Sequence, residues 1–311
     1  MKIIFMGTPE FAVPSLKNLI DAGYDISLVV TQPDKKGNRN KVIPSPVKVL
    51  AESLNLKVSQ PDRIRKNTEF ISMIESIAPD MIVVAAFGQI LPQELLDIPK
   101  YGCINVHGSL LPELRGAAPM QMAILDGHKE TGVTIMKMEA GLDTGDMISK
   151  VSRDIEGLNI TQVSEMLSVA GANLLVDTLP SIFDGSANYA KQDDSMSTYA
   201  HMINKSDGLT DFDEDADILE RKIRAFYEWP NLYSYLDGEQ VKFFKAEADM
   251  SSKSNGVVGS IAEVTKNYYS INCKNGRLVI LEQQLQGKKR MSAADFMRGH
   301  KLNIGDKFEV R

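Results

Sequence analysis

Four short runs in the first third of the chain, "KIIFMG" (2–7), "ISLVVT" (26–31), "DMIVVAAFG" (80–88) and "CINVHG" (103–108), are apolar almost from end to end. A strand with one wet face would alternate polar and apolar positions. Uninterrupted apolar runs predict strands buried on both faces, as in a parallel sheet. Between them the period changes. "PSLKNLIDA" (14–22) places Leu16, Leu19 and Ile20 on one helical face, and "TEFISMIESIA" (68–78) does the same with Phe70, Ile71, Ile74 and Ile77. Strand, helix and strand in repetition predict right-handed crossovers and an open, mostly parallel, Rossmann-like α/β sheet. "TGVTIMKM" (131–138) and "MISKVSRDI" (147–155) alternate, and are expected to add strands at one side. A helix over 161–184 closes this region, with a kink expected at Pro180.

Then the texture changes. "GSANYAKQDDSMSTYAHMINKSDG" (185–208) is polar and weakly periodic, and reads as a linker. A helical stretch follows at 217–229. After it come short runs, "QVKFFKAEA", "GVVGSIAEV", "YYSINCKNG" and "RLVILEQQL", punctuated by turns at Asp237-Gly238, Ser254-Asn255-Gly256 and Asn275-Gly276. About a hundred residues with some five strands predict a small OB-like β-barrel. The expected organisation is a first domain over 1–184, a linker over 185–208 and a barrel domain over 209–311. No internal repeat or low-complexity tract appears.

Composition alters this picture little. With 311 residues, 43% hydrophobic and 24% charged, the chain has the make-up of an ordinary soluble globular protein. No apolar run approaches the roughly 18 to 20 residues that span a bilayer. Gly7, Pro9 and Glu10 break the N-terminal run, so neither a membrane association nor a signal peptide is expected. Cys103 and Cys273 are far apart and read as reduced thiols of a cytoplasmic protein. Charge is distributed unevenly. From Gln240 onward there are 13 Lys and Arg against 7 Asp and Glu (net +6), leaving residues 1–239 with 22 against 34 (net −12). A basic end on an acidic body is a modest pointer to a polyanionic partner, although taken alone it more often marks a solvated lysine-rich face.

Candidate chemistry gathers at the carboxyl ends of the predicted strands, where open α/β sheets bind ligands. Phe87-Gly88-Gln89 ends one strand, Asn105 to Gly108 ends the next, and "GLDTGD" (141–146) is a glycine-punctuated turn after another. Singly, His107 reads as a hydrogen-bonded core imidazole and Asp143 as ordinary turn chemistry. Together at one sheet edge, Asn105, His107 and Asp143 read as a site. Ser109 lacks a nucleophile-elbow motif, His107, His128, His201 and His300 are too scattered for a metal, and "MGTPEF" is not a dinucleotide fingerprint. What remains is direct transfer. A nucleophile on one substrate attacks a carbonyl carbon of another, and protein donors steady the oxyanion. Asn105 offers N–H, His107 trades a proton near neutral pH, and Asp143 orients the imidazole. This requires the imidazole to reach solvent and to lie within about a nanometre of Asp143, a range beyond which screening removes the interaction.

The trio, with "HGSLLPELRGAAP" and "GLDTGD", resembles the 10-formyltetrahydrofolate-dependent formyltransferases. "FMGTPEFAVPSL" (5–16), "TQPDKKGNRNKVIPSPVK" (31–48), "ETGVTIMKMEAGLDTGDMI" (130–148), "IRAFYEWP" (223–230) and "GKKRMSAADFMRGH" (287–300) are similar to the branch that formylates methionine on initiator tRNA. The likeness covers nearly the whole chain, whereas relatives acting on a sugar nucleotide or purine precursor lack the C-terminal segments. It implies Asn105, His107 and Asp143 as the catalytic set, with 10-formyltetrahydrofolate as co-substrate and no metal. It implies folate contacts at Ser109, Leu110, Leu111 and Pro112, with the backbone of Gln89, Ile90 and Leu91 along the pterin. The first domain would bind the formyl-folate and the barrel the tRNA. Initiator Met-tRNA contacts would come from Lys35, Lys36, Arg39 and Lys41 in the loop after the second strand, and from Lys288, Lys289 and Arg290. A monomer is expected. Glu113 and Leu114 stand where family members often carry a basic and an aromatic residue. A formyltransferase acting on a sugar nucleotide or other small amine is the near alternative, and a non-catalytic RNA-binding module the far one.

Overall fold

The computed structural model describes residues 1–36 and 42–310. The chain divides into two compact units: Met1–Pro119 with Glu130–Asp154 and Ser164–Ala200, and Met120–Lys129 with Ile155–Val163 and His201–Arg311.

In chain order, the elements up to residue 200 are β1 (Lys2–Gly7), α1 (Val13–Asp21), β2 (Asp25–Val30), β3 (Lys35–Lys36), β4 (Val42–Ile43), α2 (Pro46–Ser53), β5 (Val58–Ser59), α3 (Thr68–Ile77), β6 (Met81–Ala85), α4 (Gln93–Leu96), β7 (Cys103–His107), β8 (Arg115–Gly116), α5 (Pro119–Leu125), β9 (Glu130–Lys137), β10 (Met147–Asp154), α6 (Ile160–Asp184) and β11 (Tyr199–Ala200). Local chemistry sets the helix starts. Pro46 opens α2 behind the Ser45 hydroxyl, which accepts from Lys48 N at 3.2 Å, and Asn67 Oδ1 accepts from Phe70 N at the head of α3.

The main sheet has the order β10-β9-β7-β6-β1-β2-β5. It is parallel from β5 to β7 and antiparallel through β9 and β10. The all-apolar runs behave as their composition requires, since every residue of β6 and all but the first of β1 are buried. From β1 the chain winds outward to β2 and β5, then returns to the far side of β1 at β6. The crevice where strand order reverses therefore opens beyond Gly7 and Ala85. One strand further along, β7 ends at His107.

Helix α6 continues through Pro180 to Asp184, so the expected kink does not end it. Contrary to the composition argument, it is long and apolar enough to cross a bilayer by length alone, but half of its most apolar window is buried inside the protein. A Cβ on Gly171 would meet the Cγ1 atoms of Val106 and Val133 at 3.0 Å, so α6 lies close against β7 and β9.

The stretch expected to be a linker divides in two. Residues 185–200 belong to the first unit, where Ala190 pairs with Met147 and β11 pairs in parallel with β8, while His201 begins the second. Weak periodicity here reflects pairing by backbone alone, which needs no apolar stripe.

The second unit adds α7 (Ala216–Ala225), β12 (Leu232–Leu236), β13 (Glu239–Asp249), β14 (Ile261–Val264), β15 (Tyr269–Asn272), β16 (Arg277–Leu285), β17 (Met291–Ser292) and α8 (Ala293–Gly299). Its strands form an antiparallel sheet of order β12-β13-β16-β15-β14, with β17 on β16. Glu309 bridges to Tyr235 on β12 and Lys307 bridges to Ser260 just before β14, so the C-terminal segment joins the two sheet edges into a small barrel. Phe212, Phe243, Tyr269, Phe296 and Phe308 fill its core with Leu219 and Ile223 of α7. Helix α7 ends at Ala225, short of the expected residue 229, because Pro230 disfavours helical backbone before it.

Candidate active site

Asn105 and His107 are two residues apart on β7 and so share one face of the sheet. Asp143 comes to them from the turn between β9 and β10, 38 residues beyond Asn105. Its Oδ2 lies 3.6 Å from His107 Nδ1, and its Oδ1 lies 3.5 Å from Asn105 Nδ2. That second contact is at the limit of a hydrogen bond, so the Asn105 amide keeps donor capacity for another oxygen. Gly116 N donates to Asp143 Oδ2 at 2.9 Å. The trio converges, well inside a nanometre.

The other half of the sequence requirement is not met. The imidazole is only 5% exposed. Its Nε2 donates to the Leu114 carbonyl at 3.1 Å, so the 109–116 loop closes over the ring edge. Asn105 and Asp143 are half-buried and form the accessible part of the group. Asp143 itself sits in the left-handed region at φ 52°.

Positions 113 and 114 act through their backbones. Leu114 N donates to the Thr198 hydroxyl at 2.8 Å, while the Glu113 carbonyl accepts from Ser109 Oγ at 2.6 Å. Lys150 Nζ donates to the Leu111 carbonyl. Burial pulls the Lys150 ammonium pKa down, and the nearby Glu113 carboxylate works against that shift.

The expected folate residues separate into two groups. Ser109 and Leu111 are fully buried and hold the loop: Leu111 N donates to Thr134 Oγ1 at 3.1 Å, and that hydroxyl donates to the Ser109 carbonyl at 2.8 Å. Leu91 is buried too, and the Gln89 side chain is engaged with Pro61 O and Ile64 N. Leu110 and Pro112 are half-buried, and Ile90 is 74% exposed.

Among the expected RNA contacts, Arg39 and Lys41 lie outside the described residues, and Lys35 and Lys36 are described as backbone only. Lys288 and Lys289 are exposed. Arg290 is engaged within the protein: its guanidinium carbon lies 4.9 Å from the Tyr227 ring centre and 4.6 Å from that of Phe244, and it pairs with Glu282.

Arg115, within the segment that carries the resemblance, and two side chains that the sequence reading passed over, Gln192 and Asp194, complete the site. Arg115, buried at 2%, donates from Nε to Gln192 Oε1 at 3.0 Å and from Nη2 to Asp194 Oδ1 at 2.8 Å. Gln192 Nε2 in turn donates to the Asp143 and Gly145 carbonyls at 2.7 and 2.8 Å. No local pattern marks Gln192 or Asp194, because both lie in the polar stretch after α6. Among the described residues no group of three or more His, Cys, Asp or Glu is arranged to hold a metal ion. A cavity of about 590 Å³ in the second unit is lined by Arg221 and Arg224, paired with Asp217 and Glu220, so its cations are already neutralised.

This is a buried polar cluster at a sheet edge, with an amide donor, an aspartate backed by an imidazole, and a clamped turn. It is suited to steadying a developing oxyanion and moving a proton beside it. Comparison with known proteins identifies the family. Residues 1–179 match the formyl transferase family and residues 202–301 match the formyl transferase C-terminal domain. The methionyl-tRNA formyltransferase of Geotalea uraniireducens is 47% identical over 307 residues, covering 98% of this chain and 97% of its own. Two solved structures share the fold. Methionyl-tRNA formyltransferase from Clostridium thermocellum (TM-score 0.53, 19% identity) covers 83% of this chain and 96% of its own. HypX from Aquifex aeolicus, in complex with tetrahydrofolic acid (TM-score 0.66, 16% identity), covers the whole of this chain, which spans only about half (51%) of HypX. The chain belongs to the formyl transferase family and, within it, to the methionyl-tRNA formyltransferases.

Proposed function

We propose that this chain transfers the formyl group of 10-formyltetrahydrofolate to the α-amino group of methionine esterified to initiator tRNA, acting as a monomer in the cytoplasm. The observation that carries the reading is the meeting of Asn105, His107 and Asp143 within 3.6 Å, on segments remote along the chain.

A free α-amine has a pKa of about 7.7 to 8.0, and the electron-withdrawing ester lowers it, so a neutral nucleophile is present at cytoplasmic pH. Its nitrogen bonds to the formyl carbon while the bond from that carbon to the folate nitrogen breaks. The carbonyl oxygen gains charge in between, and the uncommitted Asn105 N–H meets it. One proton must leave the attacking amine and reach the departing nitrogen. Asp143 is the more accessible member of the pair and takes it; His107, tied to Leu114, holds that carboxylate in place and shares the charge. This moves the direct proton transfer from His107, where sequence alone put it, to Asp143. No covalent intermediate on the protein is needed. Leu110, Pro112 and the backbone about Ile90 are the parts of the expected folate surface that reach solvent.

The barrel unit is proposed to meet the tRNA body through Lys288 and Lys289, with Lys35, Lys36, Arg39 and Lys41 at the acceptor end. A sugar nucleotide as acceptor is the weaker reading, since the likeness to the methionyl-tRNA enzymes runs through the C-terminal unit as well.

The test is transfer of labelled formyl from the folate to charged initiator tRNA. Asn105→Ala is expected to lower kcat about 10²- to 10³-fold, the usual consequence of losing one oxyanion donor. Asp143→Asn is expected to lower it about 10²- to 10⁴-fold. An Asn105→Ala rate within a few-fold of wild type would remove the assigned role. Label transfer that persists after ribonuclease treatment would point to the small-amine acceptor instead.

A further inference from the structure

We infer that Gln192 is a positioning residue for the reaction, fixing the turn that carries Asp143. This deepens the proposed function and rests on it.

The turn is conformationally expensive. Asp143 is a non-glycine residue in the left-handed region, a conformation that persists where the surroundings hold it. Among the described residues, the only hydrogen bonds to the backbone of residues 141–145 come from one side chain, Gln192. Its Nε2 spends both hydrogens on them, at 2.7 Å to the Asp143 carbonyl and 2.8 Å to the Gly145 carbonyl. Rotating the amide by half a turn would set its oxygen against two carbonyl oxygens and its NH2 against the Arg115 N–H, so the partners determine its orientation.

The third bond explains why the amide holds firmly. Gln192 Oε1 accepts from the Nε of Arg115, a buried cation, at 3.0 Å. A charge-assisted bond to the oxygen polarises the amide and strengthens both of its N–H donors. Arg115 is itself anchored by Asp194 and by the β8–β11 pairing, in which Arg115 N donates to the Thr198 carbonyl at 2.9 Å. The next residue, Gly116, donates its N–H to the Asp143 carboxylate. The segment 192–200 therefore grips Asp143 twice. It holds the backbone through Gln192, and the side chain through β8.

Gln192 touches neither Asn105 nor His107 in any described contact, so its influence must pass through Asp143. A 1 Å displacement of such a group costs on the order of 10²-fold in rate. Gln192→Met keeps the length of the side chain and removes all three hydrogen bonds. Steady-state formyl transfer to charged initiator tRNA is expected to show kcat down on the order of 10- to 100-fold, with KM for either substrate changed less than about two-fold. The decisive comparison is a double-mutant cycle. On an Asp143→Ala background, Gln192→Met is expected to lower the residual rate by less than about two-fold, because the two positions act as one unit.

A wild-type kcat for Gln192→Met beside a crippled Asp143→Ala overturns this inference alone. So does a full additional loss on the Asp143→Ala background, which would mean that Gln192 supports the fold in general. A wild-type rate for Asp143→Ala overturns the proposed function along with it. Should Gln192→Met fail to fold, Gln192→Glu carries the same cycle. It retains the Arg115 bond but faces two carbonyls with no hydrogen to donate, and an additive loss there is equally fatal.

Discussion

Backbone groups do much of the contacting around the imidazole: the Leu114 carbonyl accepts from His107 Nε2, and the Gly116 N–H donates to Asp143 Oδ2. This answers the oddity of Glu113 and Leu114, since a loop that works through its peptide groups tolerates a change of side chain. Asn105, His107 and Asp143 were legible in the sequence because each carries unusual chemistry at a predictable strand end or turn. Gln192 was not, because one glutamine in a polar stretch has no local signature. The same scale bears on the two cysteines. Both are buried, and burial pushes each thiol up to about 12. With thiolate the reactive form, native protein at pH 8 should leave both unmodified by iodoacetamide while the denaturant-unfolded chain takes two equivalents, as mass spectrometry would show. Native labelling at Cys103 would mean that β7 opens far more readily than its packing indicates.

Among the elements, β7 matters most, and it is held from behind by α6. Gly171 is the contact, with room for a hydrogen and little more before Val106, the residue between Asn105 and His107. Gly171→Val should overpack this site, destabilising the protein by about 1–3 kcal/mol. It should also depress formyl transfer in the fraction that remains folded, because the strain falls on the strand bearing the site. Urea unfolding and kcat measured on the same preparation test both, and an unchanged midpoint would show that α6 can shift freely. The periods of α1 and α3 and the runs of β1, β2, β6 and β7 were readable because burial on one face or two leaves a repeating mark. Strands β8 and β11 leave none, being two residues each and defined by their partner.

For the molecule as a whole, the basic excess lies in the residues from Gln240 onward, within the second unit. Lys288 and Lys289 are exposed, whereas Arg290 packs on Tyr227 and Phe244 and pairs with Glu282. These three adjacent cations should therefore behave differently. KM for Met-tRNA should rise steeply with salt, and Lys288→Ala or Lys289→Ala should each reduce the log–log slope by about 1 if it meets a phosphate. Arg290→Ala should instead lower the unfolding midpoint and leave the slope nearly unchanged. A KM insensitive to salt would refute the electrostatic part of the tRNA reading.

The sequence alone determined the elements whose cause is local or periodic: buried strands, amphipathic helices, glycine turns and the polar residues that end strands. Their signals lie within a few neighbours, where side-chain size and polarity act directly. Tertiary structure decided the rest. It brought Gln192 to Asp143 across 49 residues and Thr198 to Leu114 across 84, closed the barrel with residues 307–309, and covered His107 with the loop that follows it. Those contacts depend on where distant backbone groups meet a side chain or one another once the core has formed, and a peptide group as partner leaves no imprint on the residue type that carries it.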